Sequence, residues 1–341
     1  MLYNFLRTIL FCFDAEKSHN IALKALKILN SVGLLKLIFK SPVNAPVTVM
    51  GLQFQNRVGL AAGLDKNADY IDALANTGFG FIEVGTVTPK AQPGNEKPRL
   101  FRLPESNAII NRMGFNNNGV EHLINAVKNA KYKGTIGINI GKNFSTPVEN
   151  AVDDYLISYE AVYNIADYVT VNISSPNTPG LRSLQHGDAL RQLLSSLKLK
   201  QKELHLTTQR YVPIAVKIAP DLNAEEIQEL AETFLNTEID AVIATNTTFS
   251  REGVEGLPHE NEQGGLSGQP VMASSTDIVK QFCKIFEDRI PVIAVGGIMS
   301  AEDAVEKIKA GAKLVQIYSG YIYKGPDLVH QCAKALVNIG S

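Results

Sequence analysis

Eight short apolar runs recur from residue 58 onward, most of them followed by a stretch of helical periodicity, and this recurrence leaves few folds open. The runs cover residues 58–62, 81–84, 136–140, 169–173, 214–218, 241–245, 292–295 and 314–318. They are rich in β-branched residues and nearly continuous in apolar character, as parallel strands buried on both faces are. The intervening segments 224–235 and 301–310 carry helical spacing, with Asn223 and Ser300 placed as N-caps. Eight alternating units predict an α/β chain closed into a (β/α)8 TIM barrel, with an open doubly wound sheet as the alternative.

The chain has 341 residues, of which 45% are hydrophobic and 20% charged, enough for a sizeable core. A net charge of -1 gives no reason to expect nucleic acid. The three cysteines (Cys12, Cys283 and Cys332) are far apart, and neither they nor the six histidines show metal or redox spacing, so no metal is expected. The first forty residues differ from the rest. They carry Arg7, Lys17, Lys24, Lys27, Lys36 and Lys40 against Asp14 and Glu16. Charges interrupt this segment too often for a membrane span, and it lacks the pattern of a signal peptide. From Ser18 to Phe39 the apolar residues recur at helical spacing, which predicts two short amphipathic helices broken near Ser31-Val32-Gly33. Such helices cap a core or lie in a membrane interface. The composition changes after Pro42, so we read 1–42 as a helical extension and 43–341 as the barrel, entered through a hairpin over 47–54 with Gly51 at its turn.

In a barrel of this kind the loops after the strands form the ligand site. The most distinctive of them is Ser174-Ser175-Pro176-Asn177-Thr178-Pro179-Gly180-Leu181-Arg182. Its prolines hold Ser175 and Thr178 extended, giving a rigid polar loop at a strand end. The other strand ends bring Asp65 and Lys66, Thr86, Asn139, Asn172, Lys217, Thr245-Asn246-Thr247, Gly296-Gly297 and Tyr318-Ser319-Gly320 to the same mouth. Glycines after the last two strands suit a phosphate, because backbone N–H groups can approach it unobstructed. Amides at Asn111, Asn139, Asn172, Asn177 and Asn246 suit a ring with alternating donor and acceptor edges, such as a pyrimidine or an isoalloxazine. Lys217 lies inside an apolar strand and calls for an anionic or electron-rich ligand, or else for a Schiff-base role. With no acidic pair or histidine at the mouth, Ser175 is the candidate proton acceptor. A hydroxyl is a poor base and needs a dry site and a relay, in which Thr178 is a candidate member.

These motifs together resemble the dihydroorotate dehydrogenases, and specifically their membrane-associated, quinone-using class. The resemblance is carried by Ala61-Ala62-Gly63-Leu64-Asp65-Lys66, Asn111-Arg112-Met113-Gly114-Phe115-Asn116, Asn139-Ile140-Gly141-Lys142-Asn143, Asn172-Ile173-Ser174-Ser175-Pro176-Asn177, Ala244-Thr245-Asn246-Thr247-Thr248 and Gly264-Gly265-Leu266-Ser267-Gly268. It implies FMN-dependent oxidation of dihydroorotate to orotate in pyrimidine synthesis. It implies FMN contacts at Ala61, Ala62, Gly63, Leu64, Asp65, Thr86, Asn139, Asn172, Lys217, Thr245, Gly268, Gly297, Tyr318 and Ser319. It implies substrate contacts at Lys66, Asn111, Arg112, Met113, Gly114, Phe115, Asn172, Asn177, Asn246 and Thr247. Ser175 would take the C5 proton while hydride passes from C6 to the flavin, with Lys217 beside the flavin.

The soluble members of that family carry cysteine where this chain has Ser175 and lack the N-terminal helices. The resemblance therefore implies a ubiquinone or menaquinone tunnel in residues 1–42, with His19 and Arg102 near it. It also implies peripheral attachment to the cytoplasmic face of the inner membrane, and a monomer. On the residues alone, His19 reads as helix surface. One departure is Asn67-Ala68, where the family often has Asp-Gly; it touches only local loop shape. The alternatives are another FMN-dependent pyrimidine oxidoreductase, a phosphate-binding aldolase using Lys217, and a non-catalytic barrel whose helices dock a partner.

Overall fold

A computed structural model describes residues 2–178, 180–337 and 339. The eight apolar runs form the strands β1 (Val58–Leu60), β2 (Phe81–Val87), β3 (Thr135–Ile140), β4 (Tyr168–Asn172), β5 (Ile214–Ile218), β6 (Ala241–Ala244), β7 (Val292–Val295) and β8 (Leu314–Ile317). Each pairs in parallel with the next, and β8 closes on β1 through Val315 opposite Val58. The open doubly wound sheet is thereby excluded. Every residue of these strands is buried, which is why they read as unbroken apolar runs. Both helices expected from their caps are present: Asn223 opens Ala224–Asn236 and Ser300 opens Ala301–Lys309, each with a reciprocal capping box.

Inside the barrel, glycine on one strand makes room for an aromatic ring on the next. A Cβ on Gly59 would lie 2.2 Å from the ring of Phe81, and one on Gly137 would lie 2.1 Å from that of Tyr168. The hairpin Val47–Val49 and Leu52–Phe54 turns at Met50-Gly51, both at positive φ (54° and 73°). It presses Phe54 edge-on against Phe81 with ring centroids 4.9 Å apart. This plug seals the N-terminal end of the barrel and leaves the C-terminal end as the mouth.

Two features were not foreseen. The first is a three-stranded antiparallel sheet over the mouth, in the order Gly265–Gly268, Ala108–Asn111, Leu100–Leu103. The second is a helix, α1 (Leu2–Phe11), ahead of the two expected ones, α2 (Ala15–Ser31) and α3 (Leu35–Ile38). The break between α2 and α3 falls at Val32-Gly33, as the spacing predicts, with Gly33 at φ 77°. The three helices rest on the barrel through a few polar anchors. Glu16 accepts two bonds from the Arg99 guanidinium (2.8 and 3.0 Å), Tyr3 donates to the carbonyl oxygen of Ile322 (2.7 Å), and Arg7 donates to that of Tyr323 (2.6 Å). Their outer faces expose Phe5, Ile28 (63%), Val32 and Leu37 (82%). Among the described residues no helix is long and apolar enough to cross a membrane.

Candidate active site

The mouth opens into a cleft, the kind of concave, largely preformed site where ligands bind. Its walls come from the strand ends and from the three-stranded sheet. Ala61, Ala62, Gly63 and Lys66 follow β1, and Thr86 lies on β2. Asn172 ends β4, Ser175 and Asn177 follow it, and Lys217 projects from β5. Thr245, Asn246 and Thr247 follow β6, Gly297 follows β7, and Tyr318 and Ser319 follow β8. The sheet contributes Asn111 and Gly268, and the segment after Asn111 adds Met113, Gly114 and Phe115.

Six of the expected residues stand outside this lining. Asn139 lies one layer below it, accepting the Thr86 hydroxyl at 2.6 Å. Leu64 is core. The Asp65 carboxylate accepts the N–H groups of Asp69 and Tyr70 (3.0 and 2.8 Å) and so shapes the loop behind Lys66; burial pushes it up to about 6. Arg112 is bound to Glu262 (2.6 Å) and to the carbonyl of Pro98 (2.8 Å), and its guanidinium stacks on Phe101, bracing the sheet from outside. His19 and Arg102 lie among the N-terminal helices and the sheet. Arg102 donates to the carbonyls of Leu10, Phe11 and Phe13 and stacks on Phe11 at 4.4 Å, fastening the end of α1.

Within the cleft the polar groups are ordered by one another. Asn177 donates its backbone N–H to the Ser175 hydroxyl oxygen (3.2 Å) and its side chain to Asn111 across the cleft (3.3 Å). Asn246 donates to Asn172 (3.2 Å) and to Ser174 (3.0 Å). Among the described residues no hydrogen bond joins Ser175 to Thr178. Arg182, quoted in the motif but given no role from sequence, pins this loop. It donates to the carbonyls of Ser174 (3.1 Å) and Thr247 (2.9 Å), pairs with Asp221 (2.7 Å) and stacks on Phe249.

Two lysines give the cleft its charge. Lys66 donates to the carbonyl of Gly63 (2.8 Å), and burial brings it down to about 8 despite the opposing pull of Glu16. Lys217 is only 6% exposed and has no hydrogen-bond or ion-pair partner among the described residues. Burial lowers it, while the charge of Glu83 acts in the opposite sense. A buried ammonium without a partner is costly, which marks the place of an anionic or electron-rich ligand. Two buried oxygens of the lining also lack partners among the described residues: the Thr247 hydroxyl, and Gln316 Oε1, on a residue that sequence reasoning left inside a strand.

At the far end of the cleft the glycines are required. Gly297 (φ 79°) would place a Cβ 2.3 Å from Met272 Cα, and Gly268 (φ 104°) would place one 2.2 Å from the Asn107 carbonyl oxygen. Bare backbone there, free amide and lysine groups at the middle, and an enclosed shape fit a flavin nucleotide. Among the described residues no cluster of three or more potential metal ligands occurs.

Residues 44–339 match the family model described as dihydroorotate dehydrogenase. The chain is 58% identical to the dihydroorotate dehydrogenase (quinone) of Acinetobacter baylyi over 336 residues, covering 98% of this chain and 100% of the relative. It is 58% identical to that of Pseudomonas syringae pv. syringae over 335 residues, covering 98% of both. Among solved structures, the Eimeria tenella enzyme in complex with ferulenol superposes with a TM-score of 0.87 at 37% identity, covering 96% of this chain and 91% of that one. The ligand-free form gives a TM-score of 0.85 at 38% identity, covering 94% of both. The closed barrel, its serine-bearing mouth and a likeness spanning nearly the whole chain leave one assignment: this chain is an oxidoreductase of the dihydroorotate dehydrogenase family, of the quinone-dependent kind.

Proposed function

We propose that the cleft binds FMN and dihydroorotate together and that the chain oxidises dihydroorotate to orotate, with a quinone as final acceptor. The observation that carries this reading is the placement of Ser175 on a rigid loop in the same closed cleft as the unpaired Lys217. The flavin, when bound, supplies the hydride acceptor. The chain's own residues do the rest. Lys66 spends one N–H on Gly63 and keeps two for a substrate carboxylate. Asn111, Asn172, Asn177 and Asn246 present donors and acceptors to the edge of a pyrimidine, and Thr247 Oγ1 gains the partner it lacks. Lys217 sets its charge against the electron-rich ring.

Ser175 removes the proton at C5. Its oxygen receives the Asn177 N–H, which stabilises the charge that develops as the hydroxyl gives up its own proton. Burial keeps competing water away. Thr178 is buried three residues along the same loop and is the proposed relay member; with no direct bond to Ser175 among the described residues, the relay would need one ordered water between them.

The N-terminal helices serve the acceptor. Their exposed apolar face, on a segment with more lysine and arginine than acid, suits peripheral attachment to a membrane, on its cytoplasmic face. His19 lies close enough to Lys66 to feel its charge. Burial, helped by Lys66, pushes the imidazole down to about 3, so it meets a quinone carbonyl as a neutral group. Arg102 supports that passage by fixing the end of α1. The working unit is a monomer.

The deciding experiment is the visible spectrum of the purified protein without oxygen. A flavin spectrum that dihydroorotate bleaches and a ubiquinone analogue restores is the expected result. A flavin that dihydroorotate leaves oxidised would move the substrate assignment to another pyrimidine.

A further inference from the structure

Below the cleft lies a second polar layer that the reaction as described does not use. Its centre is Glu83 on β2, fully buried within the barrel. One carboxylate oxygen accepts the side-chain amide of Asn139 (2.9 Å). The other accepts the Tyr168 hydroxyl (2.9 Å) and the Gln316 amide (2.7 Å). Partners on β3, β4 and β8 thus converge on one acidic group. An ionised carboxylate can only accept, and this one-way character propagates.

Because Asn139 must turn its NH2 toward Glu83, its oxygen faces Thr86 and accepts the Thr86 proton (2.6 Å). The Thr86 oxygen then receives the NH2 of Asn172 (3.1 Å). The oxygen of Asn172 is left to face Asn246, which donates to it (3.2 Å). On the other branch, Gln316 turns its NH2 down to Glu83 and is left with an unpartnered oxygen. An amide can be reversed at little steric cost, so its orientation is set by the fixed donors and acceptors around it. The acid fixes Asn139 and Thr86 from below, and two backbone N–H groups fix the upper amides in the same sense: that of Ser174 donates to the Asn172 oxygen (3.3 Å) and that of Thr247 to the Asn246 oxygen (2.8 Å).

We infer that Glu83 is a positioning residue that holds Asn139, Thr86 and Asn172 from beneath in the direction the backbone N–H groups of the mouth also require, and that its buried charge acts on a flavin bound above. The inference rests on the proposed flavin and dihydroorotate site and deepens it. The Asn139–Thr86–Asn172 chain carries the direction, and the charge acts through the dry barrel interior, where water does not screen it.

The test is Glu83→Gln in the full-length holoenzyme, alongside the double substitution Glu83→Gln with Asn139→Asp. In the single variant the amide cannot accept on both sides, so one of the three donors loses its partner or Asn139 reverses. In the double variant the carboxylate introduced at position 139 accepts from Thr86 and from the amide introduced at position 83. The oxygen of that amide accepts from Tyr168 and Gln316. Every bond and the original direction are then restored, with the charge one layer higher. Two readouts are taken besides turnover: the flavin midpoint potential by dye equilibration, and orotate affinity from its perturbation of the flavin spectrum.

The single variant should weaken orotate binding by about tenfold or more and raise the midpoint potential. The double variant should recover the affinity to within about threefold and bring the potential back down. A folded, flavin-replete Glu83→Gln protein with both readouts unchanged would overturn the inference. So would a double variant that folds but stays as weak as the single one, or failure of both to fold, which would make the layer a stability element only. Bleaching of the wild-type flavin by dihydroorotate is read separately, so a wrong substrate shows there and not in the variants.

Discussion

The mouth of the barrel and the N-terminal helices are built on opposite terms. At the mouth the amides order one another, and groups without partners among the described residues (Lys217, Thr247 Oγ1, Gln316 Oε1) mark where a ligand belongs. In the helices the polar bonds are few and the large apolar side chains face outward, from Phe5 to Leu37. A pre-ordered polar site loses little on binding and can discriminate by hydrogen-bond direction. An apolar surface on short helices has no such direction and suits a partner that is itself apolar and fluid. The contrast teaches that one chain can divide its reaction between a rigid half and an adaptable half.

The largest expected effect lies in the rigid half. Ser175→Ala should slow flavin reduction by dihydroorotate on the order of 10²–10⁴-fold while the flavin remains bound, as read by anaerobic stopped-flow absorbance. A normal reduction rate would remove Ser175 from the mechanism. Next comes removal of residues 1–40, which should leave flavin reduction by dihydroorotate intact but slow reoxidation by quinone about tenfold or more. Unchanged quinone turnover would end the division of labour drawn above. Glu16→Ala then probes the seam between the halves. It leaves the buried Arg99 without a counter-charge, held only by the carbonyls of Pro93 and Asn95 (2.7 Å each), which should cost roughly 2–4 kcal/mol and show as a lower Tm. A loss below about 1 kcal/mol would mean that the helices are not clamped there.

Acidity gives a smaller, graded test. Lys66 sits near 8 in the free protein because burial disfavours its charge. A carboxylate ligand needs the ammonium form, so orotate affinity should be level below pH about 8 and fall as pH rises through that value. Binding an anion favours the protonated lysine and raises its titration in the complex, so the fall should continue until that higher pH is passed and then level off. A flat profile to pH 10 would detach Lys66 from the ligand. The smallest effect is expected from Leu37→Ser on the exposed face of α3. Stability should move by no more than about 0.5 kcal/mol, while cosedimentation with phospholipid vesicles should decrease. Equal cosedimentation would place the membrane contact elsewhere on the helices.

How much of this could be read beforehand follows from how local the signals are. The barrel was legible because strands buried on both faces must be apolar along their whole length. The serine loop was legible because prolines and amides are compressed into nine residues. The lid sheet was not. Leu100–Leu103 and Gly265–Gly268 are four residues each, and both find their partner in Ala108–Asn111, the second from across the chain. Helix α1 was missed as well, its pattern masked by the apolar richness of the whole segment. Glu83 was invisible for a related reason: in sequence it is one acid in an apolar run. Its three partners stand 56, 85 and 233 positions away. The roles expected of Asp65, Arg112 and Asn139 illustrate a further limit. Each lies in a motif, but each side chain is turned into the supporting structure rather than into the cleft.

The seating of α1 has a consequence for how the molecule is made. Its anchors Tyr3 and Arg7 bond to carbonyls in Ser319–Lys324, immediately after the last barrel strand. Helix α1 therefore leaves the ribosome roughly 310 residues ahead of a segment it rests on. At ordinary rates of synthesis that gap lasts roughly 15–60 s. Throughout it, this short amphipathic helix lacks its Tyr3 and Arg7 anchors. On the membrane attachment proposed above, the nascent chain would meet a lipid surface before its catalytic half exists, and delivery to the bilayer and folding of the barrel would be successive stages of biogenesis.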